Sequence, residues 1–153
     1  MDFTKRRALF SLAGLSGILL LLPRKAAASY QVPGSVLFTR IFTGLNFNTT
    51  NDQALVVNSA DWIVRRITAF GSSTSLTLAA GGIYTAASKG GNALVAAAQI
   101  YTALTASSKL VDLTVASIGL TDRVSVSTIY LSLTTAQGGA ATGSLLIEGH
   151  RLD

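Results

Sequence analysis

The chain has 153 residues, which is enough for one domain with a hydrophobic core and an additional segment. It contains no cysteine, so disulfide bonds and thiolate metal sites are excluded. Residues 1–28 hold five basic residues and one acid, whereas residues 29–153 hold seven and six. A nearly neutral domain argues against nucleic-acid binding, because phosphate contacts require concentrated positive charge.

The first 28 residues have the pattern of a targeting segment. Basic residues at 5–7 precede an apolar run over residues 8–22, and three alanines end at Ala28. Residues 4–10, TKRRALF, resemble the twin-arginine export signal, which implies an exported chain cleaved after Ala28. A fifteen-residue helix is about 22 Å long, too short for a hydrocarbon core of about 30 Å. One alternative is a mis-called start codon. The other is a retained apolar arm, helical or extended, that contacts a membrane only through residues 8–22.

Residues 29–153 are expected to form one domain, in which apolar and polar residues alternate as in β-strands. The alternation predicts strands over residues 36–42, where both faces are partly apolar, and over 54–57 and 62–70. The glycine pairs Gly81-Gly82 and Gly90-Gly91 predict tight hairpin turns.

The predicted strand over residues 62–70 carries the candidate interface, Trp62, Arg65 and Arg66. Strict alternation places Trp62 and Arg66 on one face and Arg65 on the other. Tryptophan and arginine are enriched at protein interfaces, so this strand is a candidate contact with another subunit. The alternative is that both arginines lie along the sheet with their head groups in water.

Residues 92–108 are ambiguous between helix and strand. Their alanines favour a helix, and so does the spacing of Leu94, Ala98, Tyr101 and Leu104. However, the segment lies between hairpin signals and contains β-branched and aromatic residues, which favours one or two short strands with a turn. The sequence is more consistent with the strands.

The C-terminal part continues the alternation. Residues 110–116 form a clear strand pattern. Val124 and Val126 are out of phase with the row that starts at Ile129, so a β-bulge is predicted near Ser127-Thr128.

Residues 129–149 contain two further apolar rows separated by nine residues that are nearly all Gly, Ala and Thr. They predict an antiparallel hairpin or two neighbouring strands. In total, eight to ten short strands and no long helix after residue 28 predict an all-β fold, an antiparallel β-sandwich or jelly roll.

The sequence predicts no catalytic, cofactor or metal site. His150 is the single histidine and lies three residues from the end, so a buried or tail position is expected rather than a catalytic triad. The acids are too scattered to suggest a carboxylate pair, and there is no His or Asp cluster with metal-ligand spacing. A non-enzymatic protein is therefore expected.

Residues 81–104, GGIYTAASKGGNALVAAAQIYTAL, and 130–149, YLSLTTAQGGAATGSLLIEG, resemble small structural proteins of tailed bacteriophages and prophages. The resemblance implies a β-sandwich module of the virion, in capsid decoration or as a tail accessory. Its implied partners are other virion proteins and further copies of itself, in a homo-oligomer. The rival expectation, based on residues 1–28, is an exported β-sandwich binding module of the bacterial periplasm or cell envelope.

Overall fold

The structure is a computed structural model that describes residues 35–116 and 122–152. The predicted targeting segment and the start of the domain at residue 29 lie outside the described residues. The described parts of the chain contain eight β-strands: β1 (Ser35–Asn46), β2 (Gln53–Val56), β3 (Trp62–Phe70), β4 (Ala80–Ala86), β5 (Gly90–Val95), β6 (Leu110–Asp112), β7 (Thr128–Thr135) and β8 (Thr142–Leu152).

The strands form two four-stranded sheets packed as a β-sandwich, which confirms the predicted all-β fold. Sheet A has the order β1-β8-β3-β6, and sheet B has the order β2-β7-β4-β5. Every pair of neighbouring strands is antiparallel. Antiparallel sheets of this kind bury one face and leave the other accessible, which explains the alternation in the sequence.

Consecutive strands mostly lie in opposite sheets, and only β4 and β5 form a hairpin. The expectation that β7 and β8 are paired is wrong, since β7 is central in sheet B and β8 is central in sheet A. The loop between them is hydrogen-bonded to Phe47, the residue that follows β1. Gln137 donates its backbone N–H to the carbonyl of Phe47 at 2.8 Å, and the backbone N–H of Phe47 donates to the carbonyl of Ala141 at 2.8 Å.

The core lies between the two sheets. Two edge-to-face aromatic pairs contribute to it, Phe38 with Trp62 at 5.5 Å between ring centroids and Phe47 with Tyr101 at 5.0 Å. The Tyr101 hydroxyl donates to the carbonyl of Gly81, and burial raises the pKa of this phenol. The inward rows of β7 and β8 are buried as predicted; they are Ile129, Leu131, Leu133, Leu145 and Ile147.

The phase change between Val124 and Ile129 arises because the chain changes sheets, and the predicted bulge near Ser127-Thr128 is wrong. Val124 pairs with Trp62 beside sheet A, whereas β7 pairs with β2 in sheet B without any register shift. A run that crosses from one sheet to the other can bury residues of both phases, because each sheet defines its own inward face.

The glycine pair at 81–82 lies inside β4 and is not a turn. A Cβ atom on Gly81 would lie 2.3 Å from the Cα atom of Leu133, so glycine is required where β4 approaches β7. The hairpin instead turns at Ser88 and Lys89, whose φ angles are +56° and +58°. Gly90 closes the turn by donating to the carbonyl of Ala87 at 3.0 Å and then begins β5.

Residues 92–108 contain a short strand and a turn, as the sequence favoured. β5 ends at Val95, and Gln99 donates to the carbonyl of Ala96 at 3.0 Å to form the turn. The next predicted strand, 110–116, is shorter than expected, because β6 covers only its first three residues. Its end has already crossed to sheet B, where Val115 bridges Val95.

Candidate functional site

A β-bulge in β3 determines the positions of the two predicted interface arginines. Val64 pairs with Gly149 and Arg66 pairs with Glu148, so Arg65 is an extra residue on this strand. Both Arg65 and Arg66 are exposed, and the expectation of one arginine on each face is wrong. The bulge shifts the alternation by one residue, and the buried side chains are Trp62 and Val64 before it and Ile67 and Ala69 after it.

Trp62 is not available to a partner in this fold, because its exposed fraction is 0%. Its indole Nε1 donates to the carbonyl of Val126 at 3.0 Å, and its ring packs against Phe38. The prediction that Trp62 contacts another subunit is therefore wrong. Its side chain lies on the inward face of β3 and packs in the core.

Arg66 forms ion pairs with Glu148 and Asp112 on the outer face of sheet A. Its Nε lies 2.9 Å from Oε2 of Glu148 and 4.0 Å from Oδ1 of Asp112. The same Asp112 oxygen accepts a hydrogen bond from the Thr68 hydroxyl. Arg65 forms no ion pair with the described residues. The Arg66 side chain is 49% exposed, so its ion pairs orient the head group more than they stabilise the fold.

Side chains on the outer face of sheet A form rows across the strands, because paired residues point to the same face. The middle row is polar and contains Thr39, Glu148 and Arg66. One flanking row contains Leu37, His150 and Ile63, and the other contains Ile41, Leu146, Thr68 and Asp112.

Three large apolar side chains on this face are strongly exposed: Leu37 at 48%, Ile41 at 58% and Leu110 at 65%. We call these three residues the outer patch. Two of them lie on the edge strand β1, and Leu110 lies on the opposite edge strand β6. Val36, Val56, Leu78 and Ile100 are exposed to a similar degree at other positions. Exposed apolar side chains that share one sheet face are candidates for contact with another protein.

An open depression of about 360 Å³ lies on the β6 side of the same face. Its lining combines apolar and charged side chains, as protein contact surfaces do. The lining includes Phe70, Leu110, Leu146, Arg66, Lys109 and Asp112.

The residues considered for catalysis are distributed over the fold. His150 pairs with Ile63 and Asp112 pairs with Thr68, five residues further along β3, which corresponds to roughly 15 Å. His150 Nδ1 lies 3.4 Å from the hydroxyl of Ser35.

Asp61 is engaged in an ion pair of its own. Its Oδ1 lies 2.9 Å from Nε of Arg123, and the pair is largely exposed. Asp61 precedes β3, on the other side of His150 from Asp112, so these three groups do not converge on one cleft.

Asp52 is hydrogen-bonded through both of its carboxylate oxygens. It accepts hydrogen bonds from the hydroxyl of Ser132 and from the backbone N–H of Ser88. These bonds, the Ser132 bond above all, hold the pKa of Asp52 below its ordinary value, and the charge of Lys89 adds to the effect. Asp52 thereby ties the β4–β5 turn to β7, which is a structural role.

Within residues 35–116 and 122–152, no group of three or more His, Asp or Glu side chains is arranged to hold a metal ion. In the same ranges, no helix has the length and hydropathy needed to cross a membrane. Comparisons of the chain with protein families, with curated proteins and with solved structures found no match.

The exposed residues of β1 were not identified as site candidates from the sequence. The signal was present, since residues 36–42 are partly apolar on both faces. A strand with two apolar faces is expected either in a fully covered sheet or at an interface. Only the strand order, which places β1 at an edge, decides between the two.

Proposed function

We propose that the protein is a non-enzymatic structural protein of a virion, in capsid decoration or as a tail accessory. It acts through contacts with other virion proteins and with copies of itself. The proposal combines the resemblance of residues 81–104 and 130–149 to phage structural proteins with the surface properties of the sandwich.

The observation that carries the proposal is the outer patch. Leu37, Ile41 and Leu110 are about half exposed or more, on a face with a central polar row. Covering such residues removes apolar surface from water at about 25 cal/mol per Å². Arg66 and Glu148 supply the charged groups that fix orientation at an interface.

Localisation tests the proposal. Particles from a producing culture are separated on a density gradient, and their proteins are identified by mass spectrometry. We expect this chain in the particle fraction at a constant ratio to the major head or tail protein. A chain that stays in the soluble fraction while intact particles sediment without it overturns the proposal.

A matched set of three variants links localisation to the outer patch. The substitutions Ile41→Lys and Leu110→Lys are expected to deplete the protein from particles. Ala54→Lys, on the exposed edge strand β2 of sheet B, is the control and is expected to leave incorporation unchanged. Equal incorporation of all three variants would show that this face is not the contact.

The second candidate is an exported binding module of the periplasm or cell envelope. It is favoured by one specific observation, the TKRRALF sequence followed by an apolar run and three alanines. Mass spectrometry of the native N-terminus separates the two candidates. A chain that begins near Ser29 in the cell envelope supports export, and a chain that retains residues 1–28 in particles supports the virion role.

A further inference from the structure

The two sheets have four edge strands, β1 and β6 in sheet A and β2 and β5 in sheet B. Three of these edges are poorly suited to pair with another chain. β2 has four residues, β6 has three, and β5 is irregularly paired, with register shifts along its contact with β4. Short and irregular edge strands are a common protection against edge-to-edge association.

β1 is the exception among the described strands. It has 12 residues, and its pairing with β8 is continuous from Ser35 to Phe42 before a register shift between Phe42 and Leu45. This regular part contains no lysine or proline, the residues that usually protect an edge. Its single charge is not directed away from the protein, since Arg40 Nε donates to the carbonyl of Val57 at 2.9 Å.

We propose that β1 pairs antiparallel with β1 of a second copy, about a twofold axis at Thr39. The two copies of sheet A then form one continuous sheet of eight strands. The inference rests on the proposed function in that it names one of the contacts of a structural protein. The partner is a second copy because the strand is complementary to itself.

The self-complementarity follows from the register. A twofold axis at Thr39 places Leu37 opposite Ile41 of the other copy, twice in the dimer. Both side chains lie on the outer face, and about half of each is exposed in the single chain. Paired apolar side chains on one face are the main stabilising unit of an antiparallel pair.

The inner face is also compatible with this register. Phe38 is placed opposite Arg40 of the other copy, an arrangement in which a guanidinium can lie against an aromatic ring. A dimer with twofold symmetry uses the same surface of both copies. A strand whose side chains are complementary to those of an antiparallel copy of itself satisfies this condition.

The neighbouring registers are less favourable. An axis at Arg40 places two arginines directly opposite each other, and like charges in that position are destabilising. An axis at Phe38 places Leu37 opposite Thr39 and Ile41 opposite Ser35, so neither exposed apolar side chain faces another apolar one. The bulge at the end of the regular part prevents pairing much beyond Phe42. Thr39 lies near the middle of the regular part, so its register uses almost all of it.

The first experiment is cysteine cross-linking of the full chain, which has no natural cysteine. The axis places residue 39 opposite itself, with Cα atoms about 5 Å apart, within disulfide range. We therefore expect Thr39→Cys to form a covalent dimer under mild oxidation. Leu37→Cys alone and Ile41→Cys alone are the matched controls, because identical residues at those positions would be roughly 13 Å apart.

A mixture of the Leu37→Cys and Ile41→Cys proteins is expected to form the mixed dimer. Cross-linking of Leu37→Cys to itself, with none for Thr39→Cys, would overturn the register. Absence of any cross-link in all samples would overturn the pairing of β1 with a second copy.

The second experiment uses charge and does not depend on disulfide formation. In Leu37→Lys/Ile41→Lys, lysine faces lysine twice, and we expect the dimer dissociation constant to rise on the order of tenfold or more. In Leu37→Lys/Ile41→Glu, lysine faces glutamate, and the dimer is expected to persist. Mass measurement by light scattering distinguishes these outcomes, and circular dichroism verifies that both variants are folded.

The outcomes separate this inference from the proposed function. A wild-type chain that is monomeric at high concentration overturns the β1 dimer, and its presence in particles would still support the structural role. A dimer with the Thr39 cross-link supports the inference even if the chain is absent from particles, in which case only the virion role is lost.

Discussion

The indole Nε1 of Trp62 donates a hydrogen bond of 3.0 Å to the backbone carbonyl of Val126. This bond joins β3 of sheet A to the segment through which the chain crosses to sheet B. The backbone of Trp62 forms a second link, since its N–H donates to the carbonyl of Val124 at 3.1 Å and its carbonyl accepts from Val124 at 2.8 Å. Trp62 therefore holds the crossing segment by both its backbone and its side chain.

Shortening Trp62 is expected to destabilise the sandwich strongly. We expect Trp62→Ala to lower the free energy of unfolding by about 3–5 kcal/mol, because it leaves a cavity in the core. Trp62→Phe keeps most of the volume but leaves the Val126 carbonyl without its donor, and a smaller loss of about 1–3 kcal/mol is expected. Urea unfolding followed by circular dichroism measures both losses.

The wild-type protein provides an independent check on Trp62, because it is the single tryptophan in the chain. A fully buried indole is expected to emit at short wavelength and to resist quenching by iodide. Emission typical of a solvated indole, or an Ala variant as stable as the wild type, would contradict the core position.

Gly81 tests the close approach of β4 to β7. Gly81→Ala would place a methyl group 2.3 Å from the Cα atom of Leu133, a backbone atom that cannot move without shifting β7. We expect a loss of at least about 3 kcal/mol in the free energy of unfolding, or failure to fold. The control is Gly139→Ala, which meets no atom within 4 Å and is expected to change stability by less than about 0.5 kcal/mol. Similar unfolding midpoints for the two variants would show that β4 does not approach β7 closely at Gly81.

The alternation of apolar and polar residues was sufficient to predict the strands in which the inward-facing apolar residues keep to every second position. The buried rows of β7 and β8 are the predicted ones. β3 has the predicted limits, but its inward row changes phase at the bulge. Alternation depends only on which side chains meet water, and that information is local to each strand.

The features that the sequence did not predict depend on partner strands. The bulge at Arg65 is defined by how β3 is paired with β8, and the arginine side chain itself carries no signal for it. The loop of small residues between β7 and β8 permits either a hairpin or a crossing between sheets. Leu37 and Ile41 of the outer patch are recognisable as a contact surface only from the strand order, which places β1 at an edge.

The turn between β4 and β5 contains two non-glycine residues in the left-handed conformation, Ser88 and Lys89. This conformation is strained for a residue with a Cβ atom and relaxed for glycine. We expect Lys89→Gly to raise the free energy of unfolding by about 0.5–1 kcal/mol. Thermal unfolding followed by circular dichroism is the measurement.

Lys89→Ala is the matched control for the turn. It removes the lysine charge near Asp52 but keeps the strained backbone, so no stabilisation is expected. A gain of the same size for both variants would mean that removal of the charge, rather than relief of backbone strain, is responsible.

Asp52 gives a prediction for the pH dependence of stability. Its pKa is lowered in the folded chain, chiefly by the Ser132 hydroxyl and then by the Ser88 backbone N–H, so the ionised carboxylate stabilises the fold. This contribution is complete above the unfolded pKa of about 4 and is lost as the pH falls through the lower folded value. Asp52→Asn is therefore expected to be less stable than the wild type at pH 7, with a difference that shrinks below about pH 4.

Ser132→Ala tests the cause of the Asp52 shift. Removing the hydroxyl is expected to move the pKa of Asp52 up toward its ordinary value, which a carboxyl-carbon NMR titration measures directly. Urea unfolding at a series of pH values then compares the wild type with Asp52→Asn. A stability difference that is independent of pH would assign the effect of Asp52 to packing. An Asp52 pKa that is unchanged in Ser132→Ala would leave the Ser88 backbone N–H as the group that holds the carboxylate ionised.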